Sequence, residues 1–440
     1  MTEPDLLDSI KDERWFGSKA REVVGAEIVD RVRLRDPEPT LDLALTEVRF
    51  QPGTHETYQL LLAADGRDGL AEPALARELV HLVKGGATLQ TPGGATIDFQ
   101  PLAEPGLGRE LMEAHPIAAE QSNSSVVFDD ELILKVYRRV EAGINPELEL
   151  LRFLTERGFP HVPALAGWYA YAGPLLDATL GILQAFVPNG TDGWAFALGS
   201  LEENPGDFLV RVRRLGEVTG MLHACLGSEP SDPTFSPETP SAESLGILMA
   251  TIDEEIGRIF LELPDDVEAL DPIRGRGEEV RELLRMRSQG GTIGKLIRHH
   301  GDYHLGQVLW NGDDWVILDF EGEPARPIPE RRRKRSPLRD VAGMLRSFAY
   351  ATSAARLQRG IDAPDDGEWR AREEFLDGYY REMDPTGLLP GGHEATNRIL
   401  SIFELEKAVY ELRYELDHRP DWVSIPVAGI ERLLQQDDPV

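Results

Sequence analysis

The sequence predicts an α+β chain built as two lobes, and two patterns support this prediction. In the first half, short alternating apolar runs such as 46–50 and 57–62 are separated by Gly, Pro and Asp turns, which is typical of antiparallel strands. After Gly193, apolar residues recur mainly at helical spacing, as in 208–226 and 245–263. A strand-rich first half followed by a helix-rich second half indicates the α+β class.

Several elements can be placed individually. Residues 125–128 and 132–137 are apolar runs joined by a polar turn, which predicts a hairpin. Asn145 is a good N-cap and Pro146 suits the first helical position, so we expect a helix from there through Leu154. Further strands are expected at 180–187, 308–310 and 315–320, and further helices at 72–83, at 277–286 and from 338 onward.

The charge balance and the cysteine count exclude several classes of function. Lys and Arg total 46 while Asp and Glu total 77, which gives a formal net charge of −31. Such a surface repels nucleic acid and anionic lipid. The single cysteine, Cys225, excludes an internal disulfide and a zinc cluster built on cysteines. Residues 1–14 lack the apolar run of a signal peptide, and no stretch reaches about 18 apolar residues. We therefore expect a cytoplasmic protein without nucleic-acid or membrane partners.

The strongest chemical signal is the loop 300–307, His-Gly-Asp-Tyr-His-Leu-Gly-Gln, which is followed by the apolar run 316–318 and then Asp319. Transfer of a phosphoryl group from ATP needs a carboxylate near the acceptor hydroxyl and hard oxygen ligands for Mg²⁺. Protein kinases supply an Asp, an amide five residues later, and a second Asp after a strand. By this pattern Asp302 is the expected base, and Gln307 and Asp319 are the expected Mg²⁺ ligands.

A second group of candidate residues lies upstream. A kinase of this type needs a strand Lys that reaches the α- and β-phosphates and a helical Glu that holds this Lys. Lys135 stands in the expected strand 132–137, and Glu149 follows in the helix that begins after Asn145. Glu147 is an alternative partner for Lys135, and the sequence does not separate the two glutamates.

The segment before Lys135 has no Gly-rich phosphate loop. The polar run Gln121, Ser122, Asn123 and Ser124 stands there instead. Small hydroxyl and amide residues can bind phosphate through their side chains and their backbone N–H groups. We therefore expect this run to contact the nucleotide, with a polar hairpin turn that binds no ligand as the alternative.

The histidines of the loop raise the question of a zinc site. His300 and His304 have the spacing of a helical zinc motif, which also needs a Glu between them. Gly301 and Asp302 stand at that place, so zinc is not expected.

Together these residues resemble the maltokinase family, which has glucosamine-kinase relatives and shares the fold of aminoglycoside phosphotransferases and eukaryotic protein kinases. The resemblance rests on stretches along most of the chain, at 14–19, 119–126, 143–146, 300–307, 319–324, 336–340, 344–348, 407–411 and 419–422. It implies a two-lobe protein-kinase-like fold with an N-terminal cap subdomain over 1–90. It further implies an intermediate subdomain over 91–190 that completes the nucleotide-binding N-lobe, and a mainly helical C-lobe over 191–440 with the catalytic loop and the acceptor site.

The resemblance also implies transfer of the ATP γ-phosphate to the anomeric hydroxyl of maltose, with ATP and Mg²⁺ as cofactors. The order of elements predicts an adenine-contacting hinge at Gln184, Phe186 and Val187. One alternative is an amino sugar such as glucosamine as the acceptor. The added carboxylate of Asp417 would favour such an acceptor, but we interpret Asp417 as a surface residue. Another is a catalytically inactive kinase-shaped module that holds a partner enzyme of glucan synthesis.

The acceptor site is expected near Asp302 and the last helices. Sugars are held by carboxylates and Arg groups on their hydroxyls and by an aromatic face under the ring. Tyr410 and Tyr414 are four residues apart and share a face on a helix, although core packing is the common role of such a pair. The expected acceptor residues are Asp302, His304, Glu321, Tyr410, Tyr414, Glu415, Arg419 and Trp422.

The basic run 331–335, Arg-Arg-Arg-Lys-Arg, is unusual in so acidic a chain. Such a run can indicate a nucleic-acid patch. Because it follows the expected metal-binding Asp319 within a stretch that resembles the family, we interpret it as a solvated loop near the mouth of the active site.

Overall fold

The structure is a computed structural model, and it describes residues 6, 10–51, 53–102, 111–117, 123–289, 292–360 and 367–435. The chain divides into two compact units. The first unit consists of Met1–Asn189 with Pro324–Arg331, and the second consists of Gly190–Glu323 with Arg332–Val440. Residues 324–331, which the sequence analysis assigned to the C-lobe, therefore belong by their contacts to the first unit.

The first unit holds two antiparallel sheets. Its strands are β1 (Val23–Arg35), β2 (Leu41–Phe50), β3 (Thr54–Ala63), β4 (Thr88–Gln90), β5 (Thr96–Pro101), β6 (Ala114–Ile117), β7 (Asn123–Phe128), β8 (Leu132–Tyr137), β9 (Arg139–Val140), β10 (Leu165–Ala172) and β11 (Asp177–Ala185). One sheet has the order β1-β2-β3-β9, and the other has the order β4-β5-β10-β11-β8-β7-β6. The expected hairpin of β7 and β8 is confirmed, with Ser125 opposite Lys135.

A buried amide joins the two sheets. Gln59 of β3 is fully buried, and its Nε2 donates to the carbonyl oxygens of Tyr137 at 3.1 Å and Leu180 at 2.8 Å. Its Oε1 accepts the hydroxyl of Tyr169 at 2.9 Å. Because a buried amide without partners is costly, these bonds fix the register of the N-terminal strands on the strand that contains Lys135.

Helix α1 (Pro73–Gly85) covers the core of the first unit. Leu75, Leu79 and Val83 recur at helical spacing and are fully buried in the same apolar cluster as Ile97 and Phe99 of β5. Burial of each such side chain stabilises the fold by about 1.5–3 kcal/mol. The amphipathic pattern of this helix is therefore explained by one face that packs on the seven-stranded sheet.

Helix α2 (Pro146–Glu156) begins where the sequence predicts. The side-chain Oδ1 of Asn145 accepts the backbone N–H of Glu147 at 2.8 Å, which satisfies one of the free N–H groups of the first turn. The backbone N–H of Asn145 in turn donates to Oγ1 of Thr179 at 3.1 Å. These contacts place the first turn of α2 relative to β11.

The second unit is mainly helical. Its helices are α3 (Gly193–Glu203), α4 (Pro205–Leu226), α5 (Ala242–Leu261) and α6 (Gly277–Ser288), and, after α7 (Ile328–Arg331) of the first unit, α8 (Leu338–Arg359), α9 (Gly367–Met383), α10 (His393–His418) and α11 (Ser424–Gln435). A small sheet pairs β12 (Thr191–Asp192), β13 (Val308–Trp310) and β14 (Trp315–Ile317). Short 3₁₀ turns lie at Gly69–Ala71, Glu268–Leu270, Leu305–Gln307, Asp384–Thr386 and Pro420–Trp422. None of the helices in the described part of the chain is long and apolar enough to span a membrane.

Two glycines allow α4 and α9 to cross at close range. A Cβ atom on Gly216 would lie 2.0 Å from the carbonyl oxygen of Phe375, and one on Gly378 would lie 2.1 Å from that of Arg213. Both positions therefore require the absence of a side chain. This crossing brings His223 of α4 within hydrogen-bond distance of Tyr379 of α9.

Strand β14 is shorter than expected. The sequence predicted a strand over 315–320, but the strand ends at Ile317. The backbone of Asp319 has a φ of 56°, a left-handed conformation that an extended strand does not contain. The chain thus turns at the residue that was predicted to bind Mg²⁺.

Candidate active site

Lys135 lies in the middle of the seven-stranded sheet. It is opposite Ser125 of β7 and Ile182 of β11, and the residue is only 5% exposed. Its Nζ lies 2.9 Å from Oε2 of Glu147. A buried ammonium needs such a carboxylate, because desolvation of an unpaired charge is costly.

Glu147, the alternative left open by the sequence, therefore forms an ion pair with Lys135. Its Oε2 also accepts the hydroxyl of Tyr137 at 2.8 Å. Glu147 stands in the first turn of α2, where the helix dipole stabilises a negative charge. Glu149 is buried in the same turn, and its predicted role as the partner of Lys135 stays a prediction.

The expected phosphate-contacting run is described only in part. Gln121 and Ser122 lie outside the described residues. Asn123 and Ser124 begin β7, and Oγ of Ser124 accepts a hydrogen bond from Nε of Arg138 at 2.7 Å. Arg138 is itself fully buried and paired with Asp68. The phosphate role of Asn123 and Ser124 stays a prediction.

The expected hinge follows the end of β11. Gln184 pairs with Ile133 across the sheet, and the backbone N–H of Phe186 donates to the carbonyl oxygen of Glu131 at 2.8 Å. Gln184, Phe186 and Val187 are half-buried, and the side-chain Oε1 of Gln184 is buried without a hydrogen-bond partner. The contact of this segment with adenine stays a prediction.

In the second unit, a hairpin brings the two expected metal ligands to one end. Val308 is opposite Ile317, and the backbone N–H of Leu318 donates to the carbonyl oxygen of Gln307 at 2.9 Å. Gln307 is therefore opposite Leu318, and Asp319 is the next residue after Leu318. Both expected ligands thus stand at the end of the hairpin that is opposite its turn. The side-chain Oε1 of Gln307 is buried without a hydrogen-bond partner. A bound cation is one explanation for such an unsatisfied oxygen.

His300, in the loop before β13, makes a hydrogen bond to the backbone just before Asp319. The ring Nδ1 of His300 accepts the backbone N–H of Asp302 at 3.3 Å, so Nε2 bears the proton and donates to the carbonyl oxygen of Leu318 at 2.7 Å. The same ring lies 4.9 Å from that of Phe320, centroid to centroid, and Phe320 is fully buried. His300 thus joins the backbone of the expected base to that of the expected metal ligand.

Asp302 is half-buried and has cationic or ionisable neighbours on both sides. Its Oδ1 lies 4.0 Å from Nζ of Lys407 on α10. Its Oδ2 lies 3.9 Å from Nε2 of His304. Because Nδ1 of His304 accepts the backbone N–H of Gly306 at 3.0 Å, the neutral ring has its proton on Nε2, facing Asp302. Desolvation lowers the pKa of His304, and Lys407 acts in the same sense while Asp302 opposes.

A buried carboxylate, Asp340 of α8, holds the backbone of the loop. Its Oδ2 accepts the N–H of His300 at 2.7 Å, and its Oδ1 accepts that of Gly301 at 2.9 Å. The ring of His223 also contacts Oδ2 at 3.1 Å. Asp340, His223 and Lys407 are not among the site residues expected from the sequence. Their place beside the loop of Asp302 follows only from tertiary contacts, although Asp340 and Lys407 stand within stretches on which the family resemblance rests.

This buried cluster perturbs two titrating groups. Burial raises the pKa of the Asp340 carboxyl, but the electrostatic interaction with His299 and the hydrogen bond with His223 outweigh burial and hold that pKa well below its usual range. Desolvation lowers the pKa of His299 to about 4. His299 is therefore neutral at neutral pH, and its Nδ1 is buried without a hydrogen-bond partner.

The structure brings several expected acceptor residues together at the end of α10. Oε1 of Glu415 accepts the hydroxyl of Tyr350 at 3.0 Å and a guanidinium N–H of Arg419 at 2.7 Å. Glu415 is 1% exposed, and its Oε2 is buried without a hydrogen-bond partner. A buried carboxylate with one unsatisfied oxygen is suited to accept a hydrogen bond from a ligand hydroxyl or ammonium.

An aromatic surface lies beside this carboxylate. Trp422 stacks on Tyr350 at 6.0 Å between centroids, and the guanidinium of Arg419 lies 5.1 Å from the ring of Trp422 and 5.4 Å from that of Tyr414. Tyr410 is exposed on the same helix, and Nζ of Lys407 lies 5.4 Å from its ring. Tyr410 and Tyr414 are thus surface residues and do not pack in the core.

The remaining expected acceptor residues, His304 and Glu321, lie before and after the hairpin of β13 and β14. His304 caps the 3₁₀ turn Leu305–Gln307, and Glu321 is half-buried two residues after Asp319, before Gly322 with a φ of 70°. Asp302, Gln307, Asp319, His304 and Glu321 therefore belong to one continuous piece of the second unit. Their roles toward a ligand stay predictions.

Family models match most of the chain. A model described as the phosphotransferase enzyme family matches residues 113–375, and one described as the maltokinase N-terminal cap domain matches residues 10–90.

Curated relatives and solved structures agree with these matches. The glucosamine kinase of Streptacidiphilus jiangxiensis is 26% identical over 436 residues, 91% of this chain and 96% of the relative. That of Mycolicibacterium smegmatis is 25% identical over 337 residues, 73% of this chain and 79% of the relative. Crystal form B of a glucosamine kinase aligns with a TM-score of 0.76 at 19% identity, over 98% of this chain and 99% of the other. A structure of glucosamine kinase in complex with glucosamine, ADP and inorganic phosphate aligns with a TM-score of 0.73 at 19% identity, over 98% and 100%. These structures show that the fold is that of the kinase-like phosphotransferases.

Proposed function

The chain belongs to the phosphotransferase enzyme family, and from this premise we propose that it is an ATP-dependent sugar kinase. The observation that supports this most is the hairpin that puts Gln307 and Asp319 at one end, joined through His300 to the loop of Asp302. A base and two oxygen ligands in this order are the parts that phosphoryl transfer from ATP requires.

Asp302 is the proposed base. Its carboxylate accepts the proton of the sugar hydroxyl as that oxygen attacks the γ-phosphorus of ATP, and the γ-phosphoryl group leaves ADP for the sugar. Nε2 of His304 lies 3.9 Å from Oδ2 of Asp302, and Nζ of Lys407 lies 4.0 Å from Oδ1. The ammonium of Lys407 balances the charge of the carboxylate, and the ring N–H of His304 faces it, so the two groups together orient Asp302.

Gln307 and Asp319 are the proposed ligands of Mg²⁺. The buried and unsatisfied Oε1 of Gln307 fits a hard cation, since Mg²⁺ prefers oxygen ligands. The left-handed backbone of Asp319 is a local cost for a residue other than glycine, and such conformations cluster at functional sites. Bound Mg²⁺ would neutralise charge on the phosphates.

The nucleotide is the proposed ligand of Lys135. The ammonium of Lys135 is oriented by Glu147, as required of a lysine that contacts the α- and β-phosphates. The inactive-module alternative requires loss of this lysine or of a metal ligand, and Lys135, Asp302, Gln307 and Asp319 are all present.

Glucosamine is the first candidate acceptor. The two curated relatives that cover most of this chain are described as glucosamine kinases. The unsatisfied Oε2 of Glu415 suits an ammonium group. Asp417 is exposed two positions further along α10, and side chains two positions apart on a helix do not face each other, so Asp417 adds no support. Maltose is the second candidate, because residues 10–90 match the maltokinase N-terminal cap domain and because Tyr414 and Trp422 both lie beside Arg419, where their rings can pack against a sugar.

Release of ADP from ATP in the presence of Mg²⁺ tests the proposal. The purified chain is assayed with glucosamine, with maltose and without acceptor. Turnover with glucosamine alone supports the first candidate, and turnover with maltose alone supports the second. ATP binding without turnover on any sugar would reject the sugar-kinase proposal and favour a module that binds but does not transfer.

A further inference from the structure

One carboxylate oxygen of the first unit receives two donors from the same strand. Oε2 of Glu147 lies 2.9 Å from Nζ of Lys135 and accepts the hydroxyl of Tyr137 at 2.8 Å. Lys135 and Tyr137 are two residues apart in β8, so their side chains leave the same face of the sheet. The three residues are only 1–5% exposed. The hydroxyl of Tyr137 therefore helps to hold the carboxylate that orients the ammonium of Lys135.

The backbone of Tyr137 is held in turn by a residue of the N-terminal strands. Nε2 of Gln59 in β3 donates to the carbonyl oxygen of Tyr137 at 3.1 Å. Gln59 is fully buried and belongs to residues 10–90, the stretch that matches the maltokinase N-terminal cap domain and is called the cap stretch below. The cap stretch is thus linked to Lys135 through two side chains, those of Tyr137 and Glu147.

We propose that Tyr137 is a positioning residue for Lys135 and that Gln59 extends this support to the cap stretch. The inference rests on the proposed role of Lys135 as a ligand of the nucleotide phosphates. The last torsion of a Glu side chain has a broad energy well, so a carboxylate that loses one of its donors can turn and take its ammonium partner with it. Because a fixed donor loses less entropy when it binds a ligand, loss of the Tyr137 hydroxyl should weaken nucleotide binding.

This link gives the cap stretch a function in nucleotide binding. The proposed base, the proposed Mg²⁺ ligands and Lys135 all lie outside residues 10–90. The contribution of the cap stretch is therefore indirect, and it passes through a buried amide whose loss would leave two backbone carbonyl groups without their donor.

A second buried tyrosine provides a matched control. The hydroxyl of Tyr171 in β10 donates to Oδ2 of Asp30 in β1 at 2.8 Å, the same length as the bond from Tyr137 to Glu147. Both tyrosines are buried in strands of the seven-stranded sheet. Tyr171→Phe thus removes a comparable bond between this sheet and the cap stretch, while the contacts between Tyr137, Glu147 and Lys135 are left in place.

Isothermal titration calorimetry with ADP and Mg²⁺ on the full chain tests the proposal. Tyr137→Phe removes a single oxygen atom, and ADP affinity should fall about threefold or more, as is typical of residues coupled in one hydrogen-bonded network. Gln59→Met should lower ADP affinity in the same sense. Tyr171→Phe should bind ADP as tightly as the wild type. These measurements need no acceptor sugar, so their outcome is separate from that of the turnover assay.

A background without the ion pair distinguishes positioning from a general structural role. Lys135→Met with Glu147→Gln removes both charges, so neither is left buried without its partner, and ADP affinity should fall. Addition of Tyr137→Phe to this background should have no further effect on ADP affinity, because the groups through which the hydroxyl acts are gone.

The proposal is overturned if folded Tyr137→Phe binds ADP as tightly as the wild type, if Tyr171→Phe weakens binding as much, or if Tyr137→Phe weakens binding equally in the background. Wild-type affinity in the background itself would reject the nucleotide role of Lys135 and the positioning role with it. Wild-type affinity in Gln59→Met would overturn the part assigned to the cap stretch. If Gln59→Met does not fold, the milder Tyr137→Phe still decides the proposal.

Discussion

Asp340 accepts the backbone N–H of His300 at 2.7 Å across 40 positions of the chain. The bond is buried, and a second oxygen of the same carboxylate accepts the N–H of Gly301. The residue that follows these two is Asp302, the proposed base. The position of the base is therefore set by a carboxylate that lies on another helix.

Substitution of this positioning residue should slow turnover more than it weakens nucleotide binding. In Asp340→Asn, an amide replaces one of two oxygens that now accept N–H groups. The change leaves a buried backbone donor unsatisfied and shifts the backbone that positions Asp302. Because a small misplacement of a catalytic group can slow the chemical step about a hundredfold, we expect kcat to fall roughly tenfold to a hundredfold. Steady-state kinetics and ADP affinity measure the two effects separately.

Asp384→Asn is the matched control for Asp340, because Asp384 is exposed and pairs only at the surface with His393. It should leave kcat unchanged. A folded Asp340→Asn protein with wild-type kcat would contradict the positioning role.

The proposed metal ligands predict a magnesium-dependent loss of nucleotide affinity. Asp319→Ala and Gln307→Ala each remove an oxygen ligand, so ADP affinity should fall about tenfold or more when Mg²⁺ is present. Affinity measured in EDTA should be nearly the same as for the wild type. Asp313→Ala, in the exposed turn of the same hairpin, serves as control. Loss of affinity that is equal with and without Mg²⁺ would count against a metal role.

The aromatic surface predicts a change in the KM for the sugar. Trp422→Ala removes the ring that stacks on Tyr350. An aromatic face contributes about 0.5–1.5 kcal/mol, so its loss corresponds to a rise of roughly twofold to thirteenfold in KM. The KM for ATP should not change. Trp369→Ala, at a position that is 58% exposed on α9, is the control. An unchanged KM for the sugar in Trp422→Ala would remove this residue from the acceptor site.

Buried His299 predicts that stability falls in mild acid. Its folded pKa of about 4 lies below the unfolded value of about 6.5, so the unfolded state binds more protons between these values. Stability therefore decreases as pH falls through this window, by about 2 kcal/mol at pH 5 for this group.

Urea unfolding between pH 7 and pH 5 measures this effect. His299→Gln should be less stable than the wild type at pH 7 but should lose less stability on acidification. His81→Gln removes an exposed imidazole and is the control. Equal losses in all three proteins would show that His299 does not produce the pH dependence.

Much of the fold and part of the site could be predicted because the signals are local. Asn145 and Pro146 defined the start of α2, and the apolar runs on each side of the turn 129–131 defined the hairpin that contains Lys135. The spacing between Asp302, Gln307 and Asp319 is likewise a property of one short stretch of chain.

Other features depend on contacts that sequence spacing does not specify. Glu147 and Glu149 stand in the same helical turn, and only the position of α2 relative to β8 determines that Glu147 contacts Lys135. Asp340 and Lys407 are distant in sequence from Asp302, so neither could be assigned from the loop itself. The early end of β14 follows from the left-handed backbone at Asp319, which the apolar pattern does not encode.

The role of Asp302 as the base is decided by phosphoryl transfer in Asp302→Asn, measured beside the wild type with ATP, Mg²⁺ and the active sugar. The variant keeps the shape of the side chain but removes its capacity to accept a proton. We expect turnover to fall by about 10²–10⁴-fold, the usual contribution of a general base, while ATP affinity is retained. Near-wild-type turnover by a folded Asp302→Asn protein would contradict it.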